Sequence, residues 1–212
     1  MSAFFEHLIG LASAHAGLAY LMIFLAALLE AVPVLGSVIP GSTIILALSA
    51  LIPGGQLNVV LVLAVAVAGA VIGDGGAYWI GHREQRRILG VWPMSRYPLL
   101  VARSEAFFLR YGAWAVFFAR FVAPVRAFVP ITAGALRMPP VRFFAVNIPA
   151  ILLWAPAHVL PGVIAATVLE KPGALGPHHL LPVLGGAVAT VLLALWAFRR
   201  WRNAPAELHA SG

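Results

Sequence analysis

The stretch from Phe117 to Met138, FFARFVAPVRAFVPITAGALRM, sets two arginines inside an apolar run that is broken by Pro124 and Pro130. A guanidinium keeps its proton and is expensive in hydrocarbon, so Arg120 and Arg126 need a counter-charge or a water-filled cavity. On an unbroken helix the two would point roughly 240° apart around the axis. Pro124 between them ends or kinks the helix and lets both turn inward. A second stretch has the complementary character: the acid Glu30 is followed by the breakers Pro33, Pro40 and Gly41.

The rest of the composition says what surrounds these charges. Of 212 residues, 62% are hydrophobic and 10% charged, which makes the chain one integral membrane domain and leaves no room for a soluble catalytic domain. There is no cysteine, which removes disulfides, thiolate nucleophiles and Cys-ligated metals. The net charge of +7 comes from arginines grouped in a few loops. In a membrane protein that grouping reports orientation and contact with anionic lipid before it suggests nucleic acid. Neither a metal site nor a cofactor motif is expected, and Gly73-Asp74-Gly75-Gly76 follows no strand, which argues against a phosphate loop.

Span lengths then divide the chain. Residues 3–15 read as an interfacial stretch. Between Ala16 and Pro53 the only charge is Glu30, and as continuous helix this run would measure about 57 Å against a hydrocarbon core of roughly 30 Å. With breakers in its middle, 16–53 is expected to be a re-entrant hairpin, the alternative being two short spans. A membrane span is expected at 57–81, with Asp74 as its single acid. The segment 82–110 carries Arg83, Arg86, Arg87, Arg96, Arg103 and Arg110 and is expected as a basic cytoplasmic loop. Spans follow at 143–169 and 180–198, and then a basic tail at 199–212. Placing both the basic loop and the tail in the cytoplasm requires 111–136 to be a second hairpin rather than a crossing. The expected fold is therefore all-α: two inverted repeats, each a re-entrant hairpin followed by a span, with hairpin tips meeting near the midplane and a C-terminal span added.

The residues Glu30, Pro33 and Pro40-Gly41, the segment GDGGAYWIG, and FFARFVAPVRAFVPITAGALRM with its F-x-R-F-x-P-x-R pattern resemble the DedA family, bacterial members of the VTT-domain superfamily. The resemblance runs over nearly the whole chain. It implies two opposed re-entrant hairpins, a multi-pass place in the bacterial inner membrane, and lipid translocation of undecaprenyl phosphate or of phospholipids, in some members linked to the proton motive force. It also implies that Glu30, Arg120 and Arg126 are the functionally important charges. Many relatives carry a second acid directly after Pro-Gly, where this chain has Ser42.

Arg120 and Arg126 read either as a phosphate clamp, to which a forked donor is suited, or as internal ion-pair partners of Glu30. Glu30 reads as a proton carrier or a static partner. Asp74 couples protons, or pairs structurally near the cytoplasmic end of its span. His158, between Pro156 and Pro161, reads as a hydrogen-bonded packing residue, and Trp79, Trp92, Trp114, Trp196 and Trp201 as interfacial belts. The leading function is transport of a lipid with an anionic phosphate head group. The alternatives are a non-specific scramblase, a proton-coupled small-molecule exporter and, last, a lipid phosphatase, for which the nucleophile and base are missing.

Overall fold

Asn58 opens the central helix. Its side-chain oxygen accepts from the backbone N–H groups of Val60 and Leu61 at 2.9 and 3.2 Å, satisfying two donors that a helix start leaves unpaired. In the computed structural model, which describes residues 15–32, 41–92, 94–121, 126–170 and five isolated positions between 185 and 199, the described residues are all helix, turn or irregular backbone. The chain runs through α1 (Ala16–Leu29), α2 (Gly41–Ser49), α3 (Val59–Glu84), α4 (Arg86–Leu89), a 3-10 turn (Met94–Arg96), α5 (Pro98–Tyr111), α6 (Ala113–Ala119), α7 (Val129–Ala135) and α8 (Pro140–Glu170). The interfacial stretch at 3–15, Pro33, Pro40 and Pro124 lie outside the described residues, as does the span at 180–198 with its tail apart from the isolated positions.

Only α3 and α8 are long and apolar enough to cross a membrane among the described residues. At 1.5 Å per residue, the 14 residues of α1 reach about 21 Å and the nine of α2 about 14 Å, both short of a bilayer core. The seven-residue helices α6 and α7 are shorter still. Expected span 57–81 runs on to Glu84, because leaving the hydrocarbon does not end a helix. The stop comes at Gln85, whose φ of 53° breaks the hydrogen-bond ladder.

Two of the expected hairpin breakers lie at helix starts. Pro130 sits in the first turn of α7, where its missing N–H costs nothing and its fixed φ suits the helix. Gly41 is the first residue of α2, and a Cβ there would lie 2.6 Å from Glu30 Cγ and 2.7 Å from the Ala26 carbonyl oxygen. Glycine is what lets α2 begin against the end of α1.

Backbone-to-backbone crossings join the short helices to the long ones. Gly69 and Gly73 on α3 meet the Phe24 and Leu28 carbonyls of α1, a small-xxx-small stripe. About two turns further on, α3 turns another small face to α7: Gly81 touches the Ile131 carbonyl and Gly134 touches the Tyr78 carbonyl. Likewise Gly162 on α8 receives the Leu46 carbonyl of α2, with the Ser49 Cβ at the same crossing. Helix α6 also packs on α8.

Two of the apolar clusters lie at these crossings. One gathers Ile23, Ile45, Leu48, Val62, Ile151 and Val159 from α1, α2, α3 and α8. The other gathers Tyr78, Phe107, Val116, Val129, Met138 and Phe143 around the far ends of α3 and α8. Segment 82–110 is not the plain loop expected: α4, the 3-10 turn and α5 fold it, with Met94, Val101, Ser104, Glu105 and Phe107 buried against the rest. Its arginines mask an amphipathic helix, since the face of α5 carrying Val101, Ser104, Glu105 and Phe107 recurs at helical spacing.

Candidate functional site

Four charges, Glu30, Asp74, Arg120 and Arg126, converge between these two apolar clusters. Glu30 caps the C-terminal end of α1 and Arg120 the C-terminal end of α6, so each sits where a short helix stops inside the protein. Asp74 lies on α3 between Ala70 of one cluster and Tyr78 of the other. Arg126 opens the described chain after the break that separates α6 from α7.

They form two pairs rather than one cluster on Glu30. Arg126 Nη2 lies 2.6 Å from Glu30 Oε1, with side chains 15% and 4% exposed. Arg120 Nη1 bonds Asp74 Oδ2, with side chains 10% and 4% exposed. Asp74 therefore does not cap its helix at the membrane surface. It is 2% exposed and holds the first arginine. Two guanidiniums in apolar surroundings are each neutralised by one carboxylate, which is the condition for either to stay there.

Around each pair are further residues, of which the sequence reading names Ser42 and His158 but not Trp154 or Asn147. Ser42, second residue of α2, donates both its backbone N–H and its hydroxyl to Glu30 Oε1, the hydroxyl at 2.7 Å. Arg126 Nη1 in turn donates to Ser42 Oγ at 3.3 Å. The Arg120 guanidinium lies over the Trp154 ring at 4.7 Å, a cation–π contact from α8. Trp154 is 1% exposed, unlike Trp79, Trp92 and Trp114, which are exposed as belt residues are. His158, one turn on, hydrogen-bonds the Trp154 carbonyl through Nδ1 at 2.9 Å and packs on the Trp154 ring. Asn147, also buried on α8, lies beside Asp74.

The site is rich in unused donors. Arg120 Nε, Arg126 Nε and Trp154 Nε1 are buried and have no hydrogen-bond partner among the described residues. Each is a donor with no acceptor capacity of its own, so together they favour an anion with several acceptor oxygens. No cluster of three or more acidic or histidine side chains fit for a metal occurs among the described residues.

The comparisons agree with the motif reading. The VTT domain family matches residues 39–164, which include α2, α3 and the arginine stretch. The inner membrane protein YabI of Escherichia coli K12 is 27% identical over 207 residues, 97% of this chain and 80% of that protein. An uncharacterized membrane protein of Mycobacterium tuberculosis H37Rv is 34% identical over 186 residues, 83% of each chain. One from Synechocystis PCC 6803 is 38% identical over 133 residues, 57% of this chain and 56% of the other. No solved structure gives a significant match. With the matched region reaching from the second short helix through the arginine stretch into α8, the chain belongs to the VTT-domain family of membrane proteins, as a DedA-type member.

Proposed function

We propose that this protein carries a lipid with an anionic phosphate head group across the bacterial inner membrane, undecaprenyl phosphate being the specific candidate, and that it is not an enzyme. One observation carries the reading: two buried guanidiniums, each paired with one carboxylate so that the site has zero net charge, keep Nε–H donors that have no partner among the described residues. A purely structural ion-pair network would spend those donors internally. Phosphate offers three oxygens to a forked donor, and the lipid's tails stay in the bilayer while its head passes the site.

The short helices support two inverted repeats with re-entrant hairpins. In the first half α1 packs on α3 and α2 crosses to α8; in the second α6 packs on α8 and α7 crosses to α3. The crossing residues keep the same spacing, Leu46 and Ser49 on Gly162 against Ile131 and Gly134 on α3. Rocking of one repeat against the other would expose the site to each leaflet in turn. This topology puts both 82–110 and the C-terminus in the cytoplasm. Introduced cysteines at the exposed positions Ser95 and Arg137 are then expected to label from the cytoplasm, and one at Gln56 from outside. Labelling of Ser95→Cys and Arg137→Cys from opposite sides would remove the second hairpin.

Reconstituted vesicles test the function. Wild-type protein is expected to speed the movement of a fluorescent phosphate-monoester lipid between leaflets, with no release of inorganic phosphate. Phosphate release would mean a phosphatase. No lipid movement would overturn the transport reading in favour of a small-molecule exporter working through Glu30 and Asp74.

A further inference from the structure

The contacts of Glu30 point to the exact place where a head group binds. A carboxylate at the C-terminal end of α1 faces the negative end of that helix dipole, which disfavours it. It is held nonetheless, because Oε1 takes a backbone N–H and a hydroxyl from Ser42 and a guanidinium hydrogen from Arg126. The first turn of α2 supplies an N–H that no helix bond uses, Gly41 removes the Cβ that would block the approach, and Arg126 ties back to Ser42 Oγ. A backbone N–H, a hydroxyl and one guanidinium N–H converge on a single oxygen, with the other arm of the guanidinium on the same hydroxyl, an arrangement that suits a phosphate at least as well as a carboxylate.

We propose that Ser42 and Arg126 form the phosphate seat, and that Glu30 occupies it as a tethered stand-in which the arriving head group displaces. This rests on the lipid-phosphate reading and adds to it a ligand, Ser42, and an internal competitor, Glu30. The unused Arg126 Nε gives the incoming anion one more donor than the carboxylate uses. Glu30 thus keeps the empty site neutral and sets how tightly the substrate binds. Its displacement returns a carboxyl to the unfavourable helix end, and the wild type bears that cost at each binding event.

The consequence has an unusual sign: removing an acid from the site strengthens binding of the anion. The test is titration of detergent-solubilised full-length protein with dodecyl phosphate. Glu30→Gln keeps the side chain's shape and is expected to bind roughly 10-fold more tightly than wild type, the equivalent of one charge-assisted hydrogen bond no longer contested. In the Glu30→Gln background, Ser42→Ala is expected to weaken binding by about the same factor, since no competitor remains to mask the lost hydroxyl. Glu30→Met serves in the same comparison if the glutamine variant is not monodisperse. Equal or weaker binding by the Glu30 variants, with wild-type binding that Arg126→Ala abolishes, would overturn the seat and leave the transport reading standing. Absence of saturable dodecyl phosphate binding in wild type and Glu30 variants alike would overturn both.

Discussion

Asp74→Asn is expected to destabilise the protein by about 3–5 kcal/mol, because it leaves the Arg120 guanidinium charged, nine-tenths buried and without its carboxylate. The substitution changes almost no volume, so the loss reads charge rather than packing. Arg120 keeps the Trp154 face, but a cation–π contact of about 0.5–2 kcal/mol does not replace an ion pair. Thermal unfolding in detergent should move down by on the order of 10 °C. The double variant Asp74→Leu/Arg120→Met is expected to recover most of that loss, because removing both charges together removes their desolvation penalty as well. An unchanged melting temperature for Asp74→Asn would mean that Arg120 is solvated and that the pair holds nothing in place.

The second large effect falls on transport. Arg126→Ala removes the guanidinium that bridges Glu30 and Ser42, and with it at least one charge-assisted hydrogen bond to a bound phosphate. At about 1.5–3 kcal/mol for such a bond, the rate of lipid movement at low lipid concentration should fall roughly 10- to 100-fold. Arg126→Lys is the informative companion. It keeps the charge but loses the planar fork, so it is expected to restore folding and only part of the rate. Full activity in Arg126→Lys would reduce the role of this residue to that of a point charge.

The charges were legible in the sequence because hydrocarbon makes any unpaired charge a demand for a partner. Arg120, Arg126 and Glu30 stood out for that reason. Which arginine takes which acid was not legible, since it depends on where the chain goes after α1 and α6 end, and a proline says that a helix stops without saying where its side chains then point. Asp74 lies only eight residues before His82, which made a surface role look natural. The Gly81 and Gly134 crossing places that end of α3 against α7 instead, inside the protein. Trp154 carries no sequence signal of a place in the site, because tryptophan in a membrane protein usually marks the interface. Its burial follows from its position on the inner face of α8 with Ala150, Ile151 and Ala155, a pattern blurred by Pro149 and Pro156. Ser42 carries no sequence signal beyond following Pro-Gly; only its place at the start of α2 against Glu30 gives it a role.

The most direct measurement compares two fluorescent lipids of equal tail length in the same wild-type vesicles, one with a phosphate-monoester head and one with a neutral sugar head. Guanidinium capture should move the phosphate lipid at least ~10-fold faster, and Arg120→Gln/Arg126→Gln should erase the difference. Equal rates for the two heads in wild type, unchanged in the double variant, would contradict capture by the arginines and leave a passive path that does not read charge.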